Sequence, residues 1–131
     1  MAVSTQTILD GDRLAILKFT NDSGTAETLV TKVDVTTLRK NGAGLSCNGV
    51  KINKIWGVTH GLEVQIWWDA TTDVFAWGLP ANTNYLMDFS SIGGIPNDAG
   101  AGKTGNVAFS TLDATAGDFY AITIEFLKTY A

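Results

Sequence analysis

The run 62-LEVQIWWD-69 places Leu62, Val64, Ile66 and Trp68 on one parity and Glu63, Gln65, Trp67 and Asp69 on the other. A period of two marks a strand whose side chains alternate between the faces of a sheet. The run 118-DFYAITIEFLK-128 repeats the pattern, with Tyr120, Ile122, Ile124 and Phe126 in one row. Its other row holds Phe119, Ala121, Thr123, Glu125 and Leu127. No segment sustains the helical period long enough for a long helix. At most, 36-TTLRKNG-42 makes one helical turn closed by Gly42.

The same alternation, punctuated by turn residues, predicts strands at 3–9, 13–20, 26–35, 49–58, 62–69, 73–79, 84–89, 104–111 and 118–128. Between them stand Asp10-Gly11-Asp12, Asn21-Asp22-Ser23-Gly24, Asn41-Gly42, His60-Gly61, Ala81-Asn82, Gly93-Gly94 and Ala116-Gly117. These residues tolerate positive φ or close turns with their side chains. The expected fold is all-β: one antiparallel β-sandwich, jelly-roll-like, of about eight or nine strands. Its core should hold Leu62, Val64, Ile66, Trp68, Tyr120, Ile122, Ile124 and Phe126. A length of 131 residues suits one domain spanning 1–131. Residues 1–12, uncharged until Asp10, are an expected extended arm able to add backbone hydrogen bonds to a neighbouring chain.

Several strands are apolar on both parities. Along 13-RLAILKFT-20, Leu14 and Ile16 face one way, and Leu17 and Phe19 the other. Trp67 and Trp68 point to opposite sides, and Phe119 and Leu127 leave the core row of the last strand. Trp67, Phe119, Ala121 and Leu127 are therefore the expected contact face for another subunit or a partner.

Composition narrows the function classes. Charged residues are 17% of the chain and the net charge is −4. The nine basic residues are scattered apart from Arg39-Lys40, which excludes a nucleic-acid groove built on clustered cations. Cys47 is the only cysteine, so neither an intrachain disulfide nor a Cys-based zinc site can form. It is expected as a small buried apolar residue. The N-terminal MAVSTQTILDGD lacks the basic start and apolar run of a signal peptide, and no window has the length of a membrane-spanning helix. These features lead us to expect a soluble protein made in the cytoplasm, without a membrane partner.

The loop 98-DAGAGKTGN-106 invites comparison with a phosphate-binding turn, in which backbone N–H groups, a Lys and a Thr hold a nucleotide and Mg²⁺. The first Gly of that pattern would fall where Asn97 stands, and a strand-like run, 105-GNVAFST-111, follows instead of a helix. The loop reads as an inter-strand connection, with Lys103 and Thr104 opening the next strand. His60, the only histidine, sits before Gly61 in an expected hairpin turn and reads as a solvated polar residue rather than a base. Asp69 and Asp73 flank 69-DATTD-73 and could serve acid–base work or Ca²⁺, but they are also ordinary turn residues. Trp56, Trp67 and Trp77 offer stacking platforms for a carbohydrate-binding module, with core packing the simpler reading of each. Trp56 and Trp77 each precede a Gly, which opens room for a ligand or a neighbouring strand. No catalytic set, cofactor or metal is expected.

Three segments taken in order, 55-IWGVTHGLEVQIWWDATTDVFAWGLP-80, 87-MDFSSIGGIPNDAGAGKTGNVAFST-111 and 116-AGDFYAITIEFLK-128, carry a resemblance. Together they resemble small virion proteins of tailed bacteriophages, of the capsid decoration or cement type, particularly those of marine phages. The resemblance covers roughly the C-terminal two thirds and no part of residues 1–48. It implies a non-enzymatic β-sandwich on the capsid surface of the virion, made in the host cytoplasm. Its implied partners are the major capsid protein and neighbouring copies of itself, as a homo-oligomer on the particle. The shared positions are turn Gly and Asp and core Trp and Phe, so no functional residue is carried over.

Overall fold

The structure is a computed structural model that describes residues 3–130. Among these, nine strands form in the expected order: β1 (Val3–Asp10), β2 (Leu14–Asn21), β3 (Val30–Val33), β4 (Cys47–His60), β5 (Glu63–Trp68), β6 (Val74–Leu79), β7 (Asn84–Asp88), β8 (Val107–Leu112) and β9 (Phe119–Tyr130). They build two antiparallel sheets, ordered β1-β2-β9-β4-β7 and β3-β8-β5-β6. Four pairings define the topology: β5 with β6, β4 with β7, β3 with β8, and β2 with β9. The eight strands are one long hairpin, its tip at residues 69–73, wrapped until the two sheets face each other. This is the jelly roll. β1 adds a ninth strand outside β2.

The facing rows make the core. All eight expected core residues are at most 1% exposed. Phe19 of β2 meets Phe109 of β8 edge-on across the two sheets, with ring centroids 5.0 Å apart. Each large side chain buried this way contributes roughly 1.5–3 kcal/mol, so the facing rows dominate stability over the individual turns. Cys47 is buried and unpaired, as expected.

The centre of the larger sheet is the β4–β9 pair, in register from Cys47↔Tyr130 to His60↔Phe119 with two bulges. Gly57 has a φ of 153°, and a Cβ there would stand 2.1 Å from the Ala121 carbonyl oxygen. The room beside Trp56 is thus filled by the neighbouring strand.

Two buried polar knots tie loops to this frame. The Lys128 ammonium donates to the Asp10 carboxylate at 2.7 Å and to the carbonyls of Gly11 and Arg39 at 2.8 and 2.7 Å. All three of its protons are used, which is what makes a fully buried lysine tolerable. At the other end, the buried Glu27 accepts from the Tyr120 hydroxyl at 2.7 Å and from Asn21 Nδ2 at 3.0 Å, and pairs with Lys32.

The structure corrects four local expectations. β3 starts at Val30 rather than 26, because Leu29 has a φ of 47° and Glu27 bonds through its backbone to Thr111 while its side chain turns inward. β8 starts at Val107 rather than 104, because Lys103 and Thr104 belong to the preceding loop. The helical turn is a 3₁₀ turn at Val35–Thr37, capped by Asp34 and ended by an extended Leu38 rather than by Gly42. His60-Gly61 is no hairpin turn: β4 and β5 lie in different sheets, and the turn carries the chain across the sandwich.

The knots set the alkaline limit of stability. Burial raises the Tyr120 phenol, and the Glu27 carboxylate raises it further. Burial alone would lower Lys128, but its hydrogen bonds and attraction to Asp10 and Tyr130 outweigh that and hold it above its ordinary value. Both groups keep their protons in the folded state at a pH where the unfolded chain releases them, about 10 for Tyr and 10.4 for Lys. Their contribution is full below about pH 10 and is lost as pH rises beyond it. Urea midpoints should therefore drop above about pH 10, and Tyr120→Phe should make that drop shallower; equal slopes would contradict this account.

Candidate functional site

The outer face of the five-stranded sheet can be read row by row from the register. One row runs Thr20, Ala121, Val58 and Asn84; the next runs Lys18, Thr123, Trp56 and Leu86. A third holds Ile16, Glu125, Lys54 and Asp88. Trp56, Val58, Leu86 and Ala121 are therefore contiguous, with Leu86 75% and Val58 38% exposed. At one end the His60 ring stacks on Phe119, centroids 5.2 Å apart and 16° from parallel. Charged residues border the patch on the next row. An apolar centre with a polar rim is the anatomy of a protein contact surface.

Of the four residues expected to form one contact face, Phe119 and Ala121 lie on this patch. Leu127 shares their row but sits between Leu14 and Lys51, with Gly94 against it. Trp67 lies on the outer face of the other sheet, opposite in parity to the buried Trp68. There it meets Phe75 edge-to-face at 5.4 Å and stands across from the nearly buried Ala108. The structure thus does not bring the four together, because β5 and β9 belong to sheets whose outer faces point in opposite directions. Sequence reasoning missed Val58 and Leu86. Val58 was legible as the partner in parity of Trp56, whereas only strand pairing places Leu86 beside that ring.

The tryptophans resolve individually. Trp68 is wholly buried. Trp77 donates from its indole nitrogen to the Tyr85 hydroxyl and meets Phe89 edge-on at 4.9 Å, closing the edge between β6 and β7. The space above Gly78 holds the Phe75 ring, 3.0 Å from where a Cβ would stand. Trp56 belongs to the patch above.

The Gly-rich loop spends its polar groups on the protein itself. Thr104 donates its hydroxyl to the Asp69 carboxylate at 2.7 Å, and its backbone N–H to the Asp69 carbonyl at 3.2 Å. A Cβ on Gly102 would lie 2.0 Å from Thr71 Oγ1, and one on Gly105 2.2 Å from the Asn48 carbonyl oxygen. These glycines serve close backbone approach to neighbouring loops, and a strand follows them. Asp73 accepts from the Ala70 N–H at 3.0 Å, so both carboxylates of the 69–73 turn hold local structure. Among the described residues no group of three or more His, Cys, Asp and Glu could hold a metal ion.

No protein-family model matches the chain, and no curated protein matches it.

The loop geometry has a direct test. Gly105→Ala should cost about 1–3 kcal/mol or more through overpacking against Asn48, aggravated by its φ of 85°. Lys103→Ala, on an exposed side chain, should stay within about 0.5 kcal/mol. Urea denaturation measures both; a large loss at Lys103 with none at Gly105 would contradict this account of the loop.

Proposed function

We propose that this chain is a non-enzymatic structural protein of a bacteriophage virion, a capsid decoration or cement protein that binds the major capsid protein and stabilises the shell. Two things support the reading besides the ordered motifs: the jelly roll, an architecture shared by viral capsid and lectin domains, and the outer-face patch. The observation that carries it is β1. This strand pairs with β2 on one side and is an outermost strand of its sheet on the other. Residues 4–9 are exposed, and no charge or proline interrupts them. Edge strands that must stay single usually carry lysine, proline or inward charges. Here the one protective device is a bulge between Thr7 and Leu9. The expected arm is thus a folded strand over residues 3–10, with residues 1 and 2 outside the described part. Its free edge can accept a strand of a capsid subunit by main-chain hydrogen bonding.

The apolar patch supplies the other half of the contact. Covering a large side chain contributes roughly 1.5–3 kcal/mol, against about 0–1 kcal/mol for an exposed ion pair. Attachment to the shell should therefore persist at high salt, where screening weakens only the charged pairs.

Quantitative mass spectrometry of purified virions should find the chain in a fixed ratio to the major capsid protein; its absence from particles would overturn the proposal. Gln6→Lys with Ile8→Lys on the free edge, or Val58→Ser with Leu86→Ser on the patch, should leave a folded protein. Each pair should lower capsid occupancy about tenfold or more, the equivalent of about 1.4 kcal/mol. Unchanged occupancy in both would remove the two contact surfaces from the mechanism.

A further inference from the structure

Beyond shell binding, one cavity has the chemistry of a ligand site. It is an open groove of ≈ 450 Å³ at the end of the sandwich where β9 finishes, lined by Asp12, Arg13, Asn41, Lys51, Leu127 and Tyr130 among others, with Asp12 and Arg13 on its exposed rim. That size falls in the range of small-molecule pockets, about 300–1,000 Å³. Its walls come from the β1–β2 turn, the loop before β4, the beginning of β4 and the last residues of β9. Lys128 knots three of these together, through Asp10, Gly11 and Arg39. The Tyr130 hydroxyl donates to the Asp12 carbonyl, and the Lys128 ammonium sits 5.6 Å from the centre of the Tyr130 ring. The backbone walls are therefore fixed before any ligand arrives, and only the side chains at the rim have to order on binding.

Its lining brings cations, a carboxylate and an amide together. The two ion pairs among the described residues are Lys32 with Glu27 and Lys128 with Asp10. Arg13 and Lys51 thus bring two cations to the cavity with no paired carboxylate, in a chain whose net charge is −4. The Asp12 carboxylate stands in the same cavity, beside Gly42, where a Cβ would lie 3.5 Å from its oxygen. Asn41 has its side-chain oxygen occupied by the N–H groups of Ala43 and Leu45 at 2.9 and 3.0 Å, leaving its Nδ2 as a donor. Leu127 and the Tyr130 ring add an apolar floor.

We infer that this cavity binds an acidic sugar, a uronic-acid unit of a glycan. Its carboxylate would take charge-assisted hydrogen bonds from Arg13 and Lys51. Its hydroxyls would donate to Asp12 and accept from Asn41, and its C–H face would lie on Tyr130. Simpler ligands match less of the lining. A phosphate or acetate uses the cations but faces the Asp12 charge with no hydroxyl to offer it. A neutral sugar leaves both cations uncompensated. The site is separate from the tryptophans and from the outer-face patch, so its success or failure is independent of the virion role.

Isothermal titration calorimetry on the intact protein tests this with galacturonic and glucuronic acids and their short oligomers, alongside glucose, acetate and inorganic phosphate. The uronates should bind and weaken as salt rises, with glucose and acetate at least about tenfold weaker. Arg13→Gln with Lys51→Gln should reduce uronate affinity about tenfold or more, matching the usual value of charge-assisted bonds. Asp12→Asn should weaken uronates while strengthening acetate, a reversal that general damage to the fold would not produce. An unchanged thermal midpoint in each variant separates lost binding from lost structure. Equal affinity for acetate or phosphate and uronates, or no uronate binding at all, would overturn the inference.

Discussion

The antiparallel pairing of β4 with β9 is the constraint on which the rest of the molecule depends. It sets the centre of the five-stranded sheet, and every other strand of that sheet is positioned by it, β7 through β4 and β2 and β1 through β9. The approach is close enough at Gly57 that no larger residue fits against Ala121. Because the period along a strand is two, this one register decides which residues meet the facing sheet and which face outward. Tyr120, Ile122, Ile124 and Phe126 go in; Phe119, Ala121 and Leu127 go out. The core and the outer-face patch are two consequences of a single alignment.

Around that frame, polar groups do local work. Lys128 and Glu27 are charges inside the protein, held there by complete or near-complete sets of partners. Removing one member of such a set usually costs more than the set contributes, since the remainder is left buried and unpaired. Their structural consequence is to fix loops that have little apolar surface of their own. One knot shapes the end that carries the cavity, and the other fastens residues 22–29 to the opposite end. The glycines of residues 98–106 act in the same spirit, letting loops touch backbone to backbone.

The proposed role asks little of chemistry and much of surface. A jelly roll closes its core with eight strands, so β1 is not needed to complete the barrel-like wrap. A ninth strand that lies outside β2, uncharged and exposed over residues 4–9, is available for contact. The patch formed by Trp56, Val58 and Leu86 is likewise surplus to the core. Surfaces of this kind suit a protein whose work is to hold neighbouring subunits together.

How much of this was legible beforehand follows the range of the forces involved. Alternation is a local property, so the positions of all nine strands and the eight central core residues could be read directly from the chain. Strand ends were less legible, because β3 and β8 are trimmed by partners distant in sequence: Thr111 for the first, Asp69 and Asn48 for the second. The contact face was half legible. Parity showed that Trp67 and Leu127 leave the core row, but parity carries no information on which sheet a strand joins, and the two ended on different outer faces. The cavity was invisible, since Asp12, Asn41, Lys51 and Tyr130 are scattered along the chain and meet only when β9 closes against β2 and β4. The sequence by itself determined the fold class and the positions of the turn glycines, because these rest on local periodicity and residue chemistry. Only the tertiary structure decided the assignment of strands to sheets, the outer-face patch and the cavity, because these depend on contacts between residues as far apart as Asp12 and Tyr130.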